Sequence, residues 1–120
     1  MTASIDQIRS FLLDLKYAIQ DGNVILVTHR SENEETLLKL GYTPKNAIDE
    51  LLGLTFMDYH KGPELDESSG KPGDVWIFGK KVQEVEVYIK IRLVSTKKYT
   101  TGVCISFHEA HYKMVYPYRP

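Results

Sequence analysis

At 120 residues the chain has room for one hydrophobic core, so a single domain over residues 1–120 is expected. With 42% hydrophobic and 26% charged residues, it is neither a disordered tail nor a fibrous repeat. Its longest apolar run, Val24 to Val27, is far short of a membrane helix, and one cysteine, Cys104, excludes an internal disulfide. Asp6, Arg9, Asp14 and Lys16 interrupt the first apolar-periodic segment, unlike a secretory leader, so a reducing cytoplasmic setting is expected.

The net charge of −1 hides an asymmetry. Residues 1–60 hold five Lys/Arg against nine Asp/Glu, and residues 61–120 hold ten against seven. A basic half could face a polyanion, although an imbalance of this size is also common in proteins that bind none.

In chain order, Ser4 to Gly22 reads as an amphipathic helix. Ser4 and Gln7 have capping-box spacing, and Ile5, Ile8, Phe11, Leu12, Leu15, Ala18 and Ile19 form one apolar face. Val24–Val27 suits a short strand. A second helix is expected from Ser31 to Leu40, opened by a Ser31/Glu34 box and stopped by Gly41. Thr43-Pro44 opens a third, with Ala47, Ile48, Leu51 and Leu52 inward and Gly53 as its end.

Beyond Leu54 the period changes. Phe56–Tyr59 suits a short strand, and Gly62 to Gly73 a loop rich in Gly, Pro and Ser. Asp74–Gly79 is an expected strand. Glu84–Val94 alternates strictly, with Val85, Val87, Ile89, Ile91 and Leu93 on one face and Glu84, Glu86, Tyr88, Lys90 and Arg92 on the other. Thr100–Glu109 repeats this, with Val103, Ile105 and Phe107 expected inward and Cys104, Ser106 and His108 outward. A Tyr-rich tail follows. Helices before strands predict an α+β fold: an antiparallel sheet of three to four strands with about three N-terminal helices on one face.

Pairing the last two strands through Ser95–Tyr99 would gather Tyr88, Lys90, Arg92, Ser106 and His108 on the polar face, with His60 and Lys61 as neighbours. Metal-free RNA cleavage needs such a set. A base takes the 2′-hydroxyl proton, an acid protonates the leaving 5′-oxygen, and fixed donors or cations stabilise the phosphorane. Histidine suits either proton transfer near neutrality, and tyrosine can donate to phosphate or stack on a base. Each residue also has an ordinary alternative. Lys90 and Arg92 suit a solvated strand face, Tyr88 can pack against Ser106, and Trp76 suits a core position or a base-stacking platform. Cys104 reads as a small buried hydrophobe. His29, His60, His108 and His111 could include metal ligands, but His108 and His111 have no convincing partner spacing, so no metal or other cofactor is expected.

Three segments resemble the MqsR family of type II toxins, small ribonucleases of RelE-like fold. They are Gly53-Leu54 with Asp58-Tyr59-His60-Lys61, then Trp76 with Val87-Tyr88-Ile89-Lys90-Ile91, then Ile105-Ser106-Phe107-His108-Glu109. The resemblance covers roughly residues 14–110. It implies cleavage of single-stranded mRNA, arrest of translation, and a neutralising antitoxin with a zinc-bearing domain and a helix-turn-helix domain. Lys61 and Tyr88 match family active-site positions, and His108 stands where the best-known member has a catalytic lysine. A family glutamine is here Ile77, and His60 replaces a tyrosine.

The expected roles are therefore His108 as general acid or base, with Lys61 and Tyr88 orienting or stabilising the phosphate. His60 is the candidate for the second proton transfer, and Lys90, Arg92, Trp76 and Ser106 are substrate contacts. The rival expectation is a non-catalytic RNA- or protein-binding module on the same scaffold. Near-neutral charge and the missing glutamine favour that rival. A small-molecule enzyme has no pocket-forming motif behind it.

Overall fold

The computed structural model describes residues 2–66 and 73–120. Three helices, α1 (Ile5–Gln20), α2 (Ser31–Leu40) and α3 (Pro44–Leu52), precede most of a five-stranded sheet. Its strands are β1 (Val24–Leu26), β2 (Tyr59–Leu65), β3 (Asp74–Val82), β4 (Val85–Ser95) and β5 (Thr100–Glu109), in spatial order β1-β5-β4-β3-β2. The α+β class holds, but the sheet is wider than expected and not wholly antiparallel. Val24–Leu26 pairs parallel with β5, a short edge that the apolar run alone could not place.

Local chemistry explains most element ends. Ser4 accepts from the Gln7 amide and Gln7 returns a bond to Ser4, and Thr43 and Asn46 do the same for α3. Gly41 ends α2 at φ 69°, in the left-handed region that glycine tolerates best. The expected Ser31/Glu34 box does not form. Ser31 is already helical, and Arg30 at the cap offers no side-chain bond. Residues 56–58 are a 3₁₀ turn rather than a strand, because Thr55 and Asp58 cap it reciprocally. Gly62–Leu65, expected in a loop, extend β2; residues 67–72 of that loop lie outside the described residues.

One face of the sheet carries the core. Phe78, Ile89 and Phe107 are fully buried there with Ile8, Leu15, Leu51 and Leu54 from the helical segment. Trp76 is on this face too, stacked on Phe11 at 4.6 Å between ring centroids and opposite Ile91 in register.

The inward phase of β5 changes along its length. Lys90 pairs with Ser106 but Ile91 pairs with Cys104, so Ile105 is an extra residue in a bulge. Before the bulge, Cys104 therefore faces the core and Val103 faces outward beside Arg92, the reverse of the expected alternation. After it, Phe107 is inward and His108 outward, as expected.

Where β1 stops, side chains of α2 take over the edge of β5. The Asn33 amide donates to the carbonyls of Val27 at 2.8 Å and Ile105 at 3.0 Å, and accepts from the Phe107 amide at 3.0 Å. The Thr36 hydroxyl accepts from the Glu109 amide at 2.9 Å. Asn33 is completely buried, so truncating it strands three backbone groups. Asn33→Ala is expected to cost about 2–4 kcal/mol in chemical denaturation. A loss below about 0.5 kcal/mol, the range of ordinary surface changes, would mean that the amide does not hold this edge.

Candidate functional site

The outer face of the sheet is assembled by β3, β4 and β5. Tyr88 on β4 lies opposite His108 on β5, and their rings stack at 5.1 Å with 12° between planes. His111, just past the end of β5, stacks on the other side of His108 at 4.8 Å. The His108 ring is thus held between a phenol and a second imidazole.

Its hydrogen bonds fix its chemistry further. Nδ1 lies 3.0 Å from the Glu109 carbonyl, which can only accept, so Nδ1 carries a proton. In the neutral ring Nε2 therefore presents its lone pair. That atom lies 3.3 Å from Oε2 of Glu32 on α2, and His111 Nε2 lies 3.2 Å from the same oxygen. A cavity of about 330 Å³ opens beside these groups, lined also by Glu35, Thr36 and Glu109.

The other expected site residues are distributed unevenly. Lys61 on β2 is on the outer face, level with Ile77 and then Lys90 across the sheet. It lies two strands from Lys90, roughly 10 Å by strand spacing. Glu64 is 3.7 Å from its ammonium. His60 is the extra residue of a β2 irregularity between Tyr59 and Lys61, which turns it toward the C-terminal tail. There its Nδ1 donates to the Val115 carbonyl at 2.6 Å, and Tyr112 donates to its Nε2 at 3.4 Å.

The four expected substrate contacts sit differently from one another. Trp76 lies on the core face, on the other side of the sheet from His108, because its phase on β3 matches Phe78 rather than Ile77. Ser106 is 3% exposed, covered within the sheet face it lines. Arg92 is 6% exposed, with Gly73 against its side chain. Lys90 keeps its place on the face, but its ammonium is 3.1 Å from the buried carboxylate of Asp66. That pairing commits most of its charge inside the protein.

Sequence reasoning also missed residues that shape the site. Glu32 comes from a helix more than seventy positions away in the chain, and only the docking of α2 on β5 brings it to His108. The C-terminal tail crosses the outer face at Gly79, where a Cβ would come within 2.7 Å of Met114 Sδ. Glu86 holds the tail by accepting from the Met114 amide and the Tyr116 hydroxyl, both at 3.2 Å. Its density of tyrosines was the only sequence signal.

Burial pushes the Tyr88 phenol up to about 12, helped by the negative charge of Tyr112, Glu64 and Asp66 nearby. Tyr116 rises to about 12 through burial and the adjacent Glu86. Both therefore act as neutral hydrogen-bond donors over the physiological range, never as bases. The folded state holds these protons more tightly than an unfolded chain, whose phenols ionise near 10. Their contribution is complete below pH about 10 and is lost as pH rises through about 12. Unfolding measured across that interval should show falling stability, with a shallower fall in Tyr88→Phe; an unchanged slope would contradict the burial of the phenol.

In comparisons with known proteins, the chain matched no family model, no curated protein and no solved structure.

Proposed function

We propose that the chain is an endoribonuclease toxin of a type II toxin–antitoxin system, cutting mRNA by acid–base catalysis and so arresting translation in the cytoplasm. The observation that carries this reading is the clamped His108 ring, stacked on Tyr88 with its Nδ1 proton committed to a backbone carbonyl. The resemblance of three segments to the MqsR family supports the same reading.

In this mechanism His108 Nε2 performs one proton transfer. Removing the 2′-hydroxyl proton lets O2′ attack phosphorus, forming the O2′–P bond while the P–O5′ bond breaks. The leaving O5′ takes up a proton, and the products are a 2′,3′-cyclic phosphate and a free 5′-hydroxyl. Run in the opposite assignment, the same atom protonates O5′. Tyr88, whose phenol stays protonated, donates to a phosphoryl oxygen, and Lys61 supplies positive charge from the far side of the face. His60, the expected group for the second transfer, is held against the tail through both ring nitrogens, so that transfer falls to solvent water. The chemistry needs no metal ion. The partner is an antitoxin combining a zinc-bearing domain with a helix-turn-helix domain, as the resemblance implies.

A second reading, a binding module without catalysis, draws support from the charge already committed on the face. Lys90 is paired with Asp66 and Arg92 is buried, which leaves Lys61 as the exposed cation among the expected phosphate contacts.

Incubation of the full chain with defined single-stranded RNA in EDTA separates the two. The nuclease reading expects cleavage products ending in 2′,3′-cyclic phosphate and no cutting of a strand with 2′-deoxy sugars. His108→Ala should slow cutting by roughly a hundredfold or more, the usual worth of a positioned acid or base. Tyr88→Phe and Lys61→Ala should each slow it about tenfold or more. RNA left intact, or His108→Ala cutting at the original rate, would refute the proposal. Salt-sensitive RNA binding without cutting would favour the binding module.

A further inference from the structure

The geometry points to a divalent transition-metal site, of the kind zinc occupies, formed by Glu32, His108 and His111. This inference concerns the candidate site above, and its effect on RNA cutting rests on the nuclease reading.

Three observations converge on it. One donor atom from each residue lies within 4.8 Å of the others, and two imidazoles with one carboxylate is a donor set suited to zinc. The two imidazole Nε2 atoms lie 3.3 and 3.2 Å from the same Glu32 oxygen. Ligands bound at about 2.0–2.1 Å in tetrahedral array are themselves about 3.3 Å apart, so these two edges already have the right length. The remaining edge, between the stacked rings, closes by rotation of the exposed His111 side chain.

The third observation is the tautomer. Because His108 donates Nδ1–H to the Glu109 carbonyl, Nε2 is the ring atom left to meet the Glu32 carboxylate, and without a proton it is free to coordinate. The space between that nitrogen and the carboxylate oxygen holds a proton or a metal ion, and the metal takes the proton's place on binding. A ring nitrogen tied to a backbone carbonyl is also the usual outer support of a metal-bound histidine. Glu35 and Glu109 add negative charge to the cavity, partly offset by Lys39, which pairs with Glu109 at 2.8 Å. The open cavity leaves space for water as the fourth ligand.

Metal at this position occupies the Nε2 lone pair that proton transfer requires. Zinc is therefore an inhibitor of the nuclease, and its removal restores His108 to catalysis. No group is oxidised or reduced: binding displaces water, and any proton on Nε2 is released to solvent.

The test uses the tag-free full chain, stripped with chelator and titrated with zinc chloride by calorimetry. One equivalent should bind, and cobalt(II) in its place should give the intense visible absorption of a tetrahedral ion. His111→Ala and Glu32→Gln should each weaken zinc binding by roughly tenfold or more, with unchanged circular dichroism. His29→Ala, outside the site, should bind as the parent does. One equivalent of zinc should slow RNA cutting about tenfold or more, EDTA should restore it, and His111→Ala should cut at a rate insensitive to that zinc. Absence of stoichiometric binding, or binding unaffected by either substitution, would overturn the site. Cutting that proceeds unchanged with zinc bound would overturn its inhibitory role. Zinc binding with RNA intact under every condition would uphold the metal site and overturn the nuclease reading instead.

Discussion

A single side-chain amide organises the region of the fold that holds the candidate site. Strand β1 covers the edge of β5 only as far as Leu26, and beyond it the backbone of β5 would be left with open donors and acceptors. Asn33 supplies the missing partners, matching the donor and acceptor pattern of a neighbouring peptide. This fixes the rotation of α2 about its axis, so Thr36 meets the Glu109 amide and Glu32 reaches His108. A leucine at position 33 would fill similar space and lose the alignment, because burial has no direction and hydrogen bonds do.

The bulge at Ile105 works with that contact. An uninterrupted β5 cannot place both Cys104 and Phe107 inward, since they are an odd number of residues apart. The extra residue lets both pack in the core while His108 remains opposite Tyr88 on the outer face. Cys104 is accordingly fully buried, its thiol donating to the Ser106 carbonyl at 3.3 Å, and burial pushes that thiol up to about 12, which leaves it chemically quiet. Core packing and site geometry thus depend on the same irregularity, with the Asn33 amide bonded to the carbonyl of Ile105 and the amide of Phe107.

What the sequence disclosed follows from the range of each signal. Capping at Ser4 and Thr43, the glycine stop at Gly41 and the alternation of β4 are local, and they were legible. The span of α2, Ser31–Leu40, was legible too, but its expected capping box does not form, because tertiary bonds from Asn33 and Thr36 hold that helix instead. The phase of β5 could not be read, since a bulge leaves no mark on a two-residue period. Trp76 was ambiguous for a related reason: on β3, Trp76 and Ile77 are adjacent and both apolar, so alternation does not say which faces the core. Tyr88 and His108 were placed together because adjacent antiparallel strands carry enough register information in their patterns. Glu32, remote in sequence, carried no such signal, and neither did the path of the tail.

The bare backbone at Gly79 has one more implication. Its covering comes from Met114 and Tyr116, which belong to the irregular end of the chain and not to any strand. The wall around the outer face is thus made from a different part of the polypeptide than the floor. Further along, Tyr118 donates to the Ala3 carbonyl and packs against the core, so the same tail that walls the outer face is anchored on the helical side of the sheet. One short stretch thus ties the shape of the outer face to the packing behind the sheet.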